Sequence, residues 1–185
     1  MKGEEEGEGE VAREWRVPEG LCTRLWERTE RPIIVWGTVF DANSLGKWIY
    51  DWTIFCHGVK SAVAELAADL WLLLISLMTR EKVVRENRTG KRSKTAEGIA
   101  VGLQALWTEL ERIVERCARS MGRAMKKKVT GEAYFDRKGG IAFVERMFGR
   151  DEQLNATEDL MNEIRKWKRE GDDVCKAALM AKNGE

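Results

Sequence analysis

Residues 59–84 constrain the fold more than any other stretch, because their apolar centre at positions 62–78 reads AVAELAADLWLLLISLM. Apolar side chains recur there at intervals of three and four residues, which is the spacing of one face of an α-helix. Ala67, Trp71 and Leu74 lie on a second apolar face of the same helix. A helix that is apolar over most of its circumference lies either at the centre of a bundle or in a membrane.

The charges within this stretch favour the bundle. A membrane-spanning helix needs about 20 predominantly apolar residues, whereas the uninterrupted apolar run here is limited to residues 70–78. Glu65 and Asp69 interrupt the upstream half, and each charge near the bilayer centre costs roughly 2.5–3.5 kcal/mol on insertion scales. We therefore expect a buried bundle helix with Trp71 and Leu74 in its core, and no transmembrane span.

Two later stretches carry apolar stripes that complement this central helix. At residues 99–121 the apolar spacing alternates four and three, as in a helical hairpin or a coiled-coil seam. A similar stripe at residues 160–178 includes a glycine, which indicates either a close helix crossing or a bend. We expect these two helices, together with Trp48 and Trp52, to pack against Trp71.

The fold class that follows is all-α, an antiparallel bundle of four main helices and two short ones. Proline is confined to Pro18 and Pro32, so nothing after Val39 prevents long helices. The capping residues Asp41, Gly58 and Asp151 suggest where helices begin or end. The expected helices cover residues 18–32 (short), 41–58, 59–86, 93–128, 141–148 (short) and 151–182.

The remaining segments are interpreted as a tail, loops and one extended run. Residues 1–12 are rich in glutamate and glycine and are expected to be a disordered acidic tail, which leaves 13–183 as a single domain. Residues 33–40 are β-branched but have no evident partner strand, so we expect an extended segment packed across helices. Residues 87–94 and 129–139 are expected to be polar connections.

The aromatic residues are the best candidates for structural or interaction sites. Eight tryptophans in 185 residues are many, and tryptophan dominates both buried cores and protein interfaces. The candidate residues are Trp48, Trp52, Glu65, Asp69, Trp71, Trp107 and Trp167.

No constellation in the sequence indicates an enzyme. Glu65 and Asp69 lie one helical turn apart, but a di-iron bundle needs Glu-x-x-His pairs, and the single histidine, His57, is not in one. We expect this acidic pair to face water or to meet a basic side chain. Cys56 and His57 are adjacent and therefore point in different directions on a helix, which argues against a nucleophile pair. We expect no metal and no cofactor.

Charge and cysteine usage argue against several other classes. Basic and acidic residues nearly cancel to a net charge of +1, and the basic clusters at 91–94 and 126–128 lack interleaved aromatic residues, so nucleic-acid binding is not expected. The four cysteines have no zinc-ligand spacing. The acidic N-terminal segment does not resemble a secretory signal. Free thiols in a cytoplasmic protein are therefore expected.

Two segments resemble a known family. Residues 45–53, LGKWIYDWT, followed by 65–75, ELAADLWLLLI, are similar to a group of uncharacterised proteins from filamentous fungi that often carry the label "vegetative cell wall protein". Residues 148–167 resemble the C-terminal part of the same group, as do Asp172 and Cys175. The resemblance implies no activity, substrate or site residue. Its label implies a cell-wall location, which the N-terminal sequence does not support.

The function expected from these observations is binding of another protein, or of a second copy of this chain, through a groove or seam of the helical bundle. The alternative is a peripheral membrane protein whose apolar helix becomes exposed on triggering. An enzyme is the third possibility, for which the sequence offers no residues.

Overall fold

The computed structural model describes residues 31–35, 38–86, 94–121, 125–127, 133–135 and 137–182. This part of the chain is mostly helical, which broadly confirms the all-α expectation. In chain order its elements are β1 (Ile33–Val35), β2 (Thr38–Phe40), α1 (Ala42–His57), α2 (Ala62–Glu86), α3 (Lys94–Met121), β3 (Met125–Lys127), β4 (Ala133–Phe135), α4 (Arg137–Phe148) and α5 (Leu154–Lys182).

Local capping chemistry fixes both ends of α1 and the beginning of α2. The sequence predicted the caps of α1 at Asp41 and Gly58. The Asp41 carboxylate accepts a hydrogen bond from the Ser44 backbone N–H at 2.8 Å and so caps α1. At the other end Gly58 has φ +82°, a conformation that favours glycine. The Ser61 hydroxyl oxygen then accepts from the Ala64 N–H at 3.1 Å, which begins α2.

The central helix α2 is part of the hydrophobic core, and α1 is its most extensive neighbour. Gly46 of α1 lies against Trp71, because a Cβ at position 46 would be 3.0 Å from the indole Cγ atom. The core face of α2 consists of the buried residues Ala64, Ala67, Leu70, Leu74 and Leu77. The expectation that Leu74 lies in the core is confirmed.

Helices α1 and α4 pack through an aromatic contact and run in opposite directions. The Trp48 ring meets Phe143 edge to face with centroids 5.0 Å apart. One turn further along α1, Trp52 covers Gly140, where a Cβ would overlap the indole. At the end of α1, the Arg137 guanidinium lies 4.8 Å from the Phe55 ring centroid.

The expectation for residues 33–40 was wrong in one respect. The run does not remain an unpaired extended segment, because it folds back on itself as an antiparallel hairpin in which Ile33 pairs with Phe40 and Val35 with Thr38. Both strands pack on helices, as expected, and the side chains of Ile33, Val35 and Phe40 are buried in the core. The β-branched run therefore supplied its own partner strand.

The region after α3 also differs from expectation. The helix ends at Met121 rather than near residue 128, and the segment that follows forms a second hairpin in which β3 pairs with β4. Helix α4 begins at Arg137 and so takes in Gly139 and Gly140, which were assigned to a linker. Helix α5 begins at Leu154, so Asp151 lies in the preceding turn and is not the cap.

Other expectations fall on residues without a description. The acidic tail at 1–12, the short helix expected before Pro32 and the polar loop expected from residue 87 all lie outside the described residues.

Candidate functional site

The predicted pair Trp48 and Trp52 is brought together and is half-buried. Their rings lie 6.4 Å apart edge to face, and both pack against the hydrophobic core. Their partners are Phe40, Phe143 and Gly140, so these tryptophans join α1 to β2 and α4. The pair therefore has a packing role in this fold.

Trp71 does not occupy the position that the sequence suggested. It is only partly buried and lies against α1, where its ring centroid is 5.8 Å from that of Tyr50. Its indole N–H donates to the Asn43 side-chain oxygen at 2.8 Å. The expected packing against Trp48 and Trp52 is wrong, because those two rings point to α4.

The acidic pair Glu65 and Asp69 lies on the outward face of α2. Both side chains are exposed, and the Arg165 guanidinium of α5 lies 3.3 Å from the Asp69 carboxylate. The arrangement is a solvated strip with one ion pair to a neighbouring helix, which agrees with the expectation from the sequence.

The adjacent residues Cys56 and His57 do not form a nucleophile pair. Burial raises the pKa of the Cys56 thiol, the nearby Glu145 carboxylate raises it further, and Arg137 opposes both effects. A raised pKa disfavours the thiolate, which is the nucleophilic form. His57 is exposed at the end of α1, so this site lacks an activated nucleophile.

Trp107 is the most deeply buried of the candidate tryptophans. Its side chain is 1% exposed, and its indole N–H has no hydrogen-bond partner among the described residues. The Arg31 guanidinium lies 5.9 Å from its ring centroid and 3.2 Å from Glu111. These contacts attach the segment before β1 to the middle of α3.

Trp167 lies in a groove between α3 and α5. Its indole N–H donates to the Ile99 carbonyl at 3.1 Å, and at the other end of the contact the Arg116 Nε–H donates to the Gln153 side chain at 2.7 Å. The residue numbers of these contacts rise along α3, from 99 to 116, and fall along the partner segment, from 167 to 153. The two helices therefore run in opposite directions. Gly102 allows this approach, because a Cβ there would be 2.9 Å from the Trp167 ring.

The α3–α5 groove has a volume of about 440 Å³, which is within the range of ligand pockets. Its apolar lining combines buried large side chains with small ones that leave space between the helices. We define the apolar lining as Gly102, Ala105, Leu106, Ala156, Leu160 and Trp167.

The same groove has a charged lining of predominantly one sign. Four carboxylates and one ammonium group surround it, although the whole chain is nearly neutral. We define the charged lining as Glu109, Asp159, Glu163, Lys166 and Glu170. A largely acidic border around an apolar surface is chemistry suited to binding a cationic, amphipathic molecule.

One helix in the described part of the chain has the length and composition to cross a membrane. It is the Ala62–Lys82 segment of α2, which has 21 residues and a mean hydropathy of 1.7. Of its most apolar stretch, 33% is buried inside the molecule. Core helices of soluble proteins pass the same test. Its outward face carries Leu72, 61% exposed, beside the charged Glu65 and Asp69.

Within the described ranges, no group of three or more histidine, cysteine, aspartate or glutamate side chains is arranged to hold a metal ion. No family model matches the chain, and comparison with curated proteins and with solved structures also finds no match. The resemblance to the fungal group therefore stays a prediction.

Sequence reasoning identified Trp167 but missed the rest of the groove. The apolar stripe of α5 was expected to pack on the central helix, and no role was assigned to its acidic neighbours Asp159, Glu163 and Glu170, which border the groove. The available signal was the placement of small residues on α3, where Gly102 and Ala105 are three positions apart and so share a face.

Proposed function

We propose that this protein is an intracellular helical domain that binds another protein through the α3–α5 groove. The observation that carries the proposal is the groove itself, which joins an apolar surface to charged side chains on two packed helices. Helical domains commonly bind a partner helix in such a groove. The free thiol of Cys56 supports a reducing compartment.

The proposal includes a finer description of the fold. We take α1, α2, α3 and α5 as the four main helices of an antiparallel bundle, with α4 as one of the two short helices. The opposed contact order of α1 with α4 and of α3 with α5 supports this arrangement. The two hairpins are additions to the bundle.

Affinity capture from the cells that make the protein tests this function. The wild type is compared with Ala105→Tyr, which fills the groove from an exposed position, and with Ala62→Tyr, which adds the same ring to the exposed start of α2. We expect a protein that is retained by the wild type and by Ala62→Tyr but lost from Ala105→Tyr. Light scattering of the purified wild type and of both variants shows whether the partner is a second copy of this chain.

The proposal would be refuted if the wild type captured no protein that Ala105→Tyr does not also capture, and if light scattering showed a monomer at all concentrations.

A second candidate function is reversible binding to a membrane surface. Its support is the apolar length of α2 and the exposure of Leu72. Glu65 and Asp69 on the same outward face oppose it, because burying two carboxylates in hydrocarbon is costly. Co-sedimentation with neutral and with anionic vesicles tests this candidate, and absence of the protein from both pellets would eliminate it.

A further inference from the structure

We propose that the partner element bound in the α3–α5 groove is a basic amphipathic helix. This inference rests on the proposed function and specifies the chemistry of the partner. The groove supplies three constraints, which are its length, the spacing of its apolar anchors and the sign of its charge.

The length of the groove suits about four turns of helix. Along α5 the lining extends from Ala156 to Glu170, a distance of ~21 Å at 1.5 Å per residue. The lining also includes Ala105 of α3 and Ala156 of α5, whose small side chains do not hold a partner backbone away, whereas the space beside Gly102 is occupied by the Trp167 ring. Helix axes approach to about 8–10 Å according to the side chains at the contact, so these small residues favour a helix as the occupant.

The apolar anchors have helical spacing. Leu160 and Trp167 form the buried floor of the groove, 3% and 9% exposed, and they are seven residues apart, so they lie two turns apart on the same face of α5. A partner helix with apolar residues at positions i, i+3 or i+4, and i+7 presents a stripe of matching length.

The charge of the groove selects a basic partner. Glu109 is already paired with Arg112 at 3.2 Å and Arg116 at 3.5 Å, so it contributes little free charge. By contrast, neither Asp159 nor Glu170 forms an ion pair with any other residue that the structure describes. These two carboxylates lie about three turns apart along α5.

Glu163 lies between those two carboxylates, and among the described residues it forms one ion pair, a long contact of 4.0 Å to Lys166. Negative charge therefore predominates along the α5 side of the groove, interrupted by the single positive charge of Lys166. Lysine or arginine side chains that flank the apolar stripe of the partner would complement it.

A labelled synthetic peptide tests the inference on the full-length protein. The probe has about 18 residues, or five turns, and consists of alanine, leucine and lysine with leucines on one face and lysines on both flanks. Two control peptides have glutamate in place of lysine, or the same composition in a scrambled order. Binding is measured by fluorescence anisotropy at low and at physiological salt.

We expect the basic amphipathic peptide to bind, the two controls to bind at least about tenfold more weakly, and the affinity to fall as salt rises. In the protein, the double substitution Asp159→Lys with Glu170→Lys should weaken binding about tenfold or more, because it places like charges against the peptide. Ala105→Tyr should weaken it by a similar factor through steric exclusion.

Matched controls are Glu65→Lys and Ala62→Tyr, which make the same chemical changes on the exposed face of α2. These variants should bind within about twofold of the wild type, since surface substitutions far from a contact rarely alter it. All the substituted positions are exposed, so circular dichroism should show the same helical content throughout.

Three results would overturn the inference: no binding of the basic peptide, equal binding of the acidic one, or binding that the groove variants leave unchanged. If the wild type dimerises, Ala105→Tyr is monomeric and the peptide does not bind, then a second copy of the chain is the occupant. That last result refutes the basic helix while leaving the proposed protein-binding function intact.

Discussion

Gly98 and Gly102 lie one turn apart on α3, yet their surroundings are opposite. A Cβ at position 98 would meet no atom within 4 Å, whereas a Cβ at 102 would press on Trp167. Gly140 on α4 is more crowded still, because its Cβ would overlap the Trp52 ring. The same residue type is therefore a weakness at one position and a packing requirement at the other two.

This contrast makes a prediction about alanine substitution. Gly98→Ala should raise the free energy of unfolding by up to about 1 kcal/mol, because alanine has the higher helix propensity and has room at this position. Gly140→Ala should lower it by about 1–3 kcal/mol, since Trp52 would have to move. Urea denaturation of both variants measures the difference, and stabilisation by Gly140→Ala would contradict the packing of Trp52 on α4.

Cys117 makes stability depend on pH in the alkaline range. Its side chain is fully buried, and this burial raises the pKa of the thiol to about 12. In the unfolded chain the thiol ionises near its ordinary pKa of about 8.5. Between those values the folded state holds the proton and the unfolded state has lost it, so the free energy of unfolding falls as pH rises.

We expect the wild type to lose more stability than Cys117→Ala between about pH 9 and pH 12. Below that range the thiol is protonated in both states, and the difference between the two proteins should not change with pH. Denaturation curves at several pH values measure this difference, and parallel behaviour across the alkaline range would show that the thiol is accessible to water.

At the scale of elements, the sequence predicted the helices better than the strands. Apolar spacing located α2, α3 and α5, and the capping residues Asp41 and Gly58 located the two ends of α1. The hairpins at 33–40 and 125–135 were missed, because strands of three residues leave little periodicity to detect.

The glycine in the α5 stripe is explained by a contact that the sequence could not specify. Arg80 of α2 reaches Gly171, where a Cβ would be 2.8 Å from the guanidinium. The same guanidinium donates to the Lys168 carbonyl at 3.2 Å, pairs with Asp172 and lies 5.9 Å from the Trp167 ring centroid. Gly171 therefore leaves room for the Arg80 side chain, which joins α2 to α5.

Because this contact uses the planar guanidinium, lysine should not replace it. Arg80→Lys should lower the free energy of unfolding by about 1 kcal/mol, through loss of a hydrogen bond and of the stacking on Trp167. A double-mutant cycle with Asp172→Asn should give a coupling of about 0.5–1 kcal/mol. Arg112→Lys, in an exposed pair within α3, is the control and should change stability by less than about 0.5 kcal/mol.

At the scale of the whole molecule, the sequence predicted the core but not the groove. Helical periodicity shows which side chains are buried: it correctly placed Leu74 inside, and the predicted stripes at 99–121 and 160–178 contain the buried Leu110 and Ile164. The groove depends instead on how closely α3 and α5 approach, which is set by Gly102 against Trp167. Such a distance results from tertiary packing, and residue spacing within one helix does not encode it.

Helix α2 and the α3–α5 groove are two apolar surfaces with different proposed roles. Helix α2 stabilises the core through its buried face, while its outward face carries Glu65, Asp69 and the isolated Leu72. The α3–α5 groove joins apolar and acidic residues in one continuous surface. We therefore place the binding surface in the groove and give α2 a structural role.

Hydrogen exchange of the full chain, measured with and without the basic amphipathic peptide, tests this assignment most directly. The account predicts slower exchange on peptide binding at residues 102–109 of α3 and 156–170 of α5, with exchange in α2 unchanged. Slowing centred on Leu72, or bound peptide that leaves both groove segments unchanged, would contradict it.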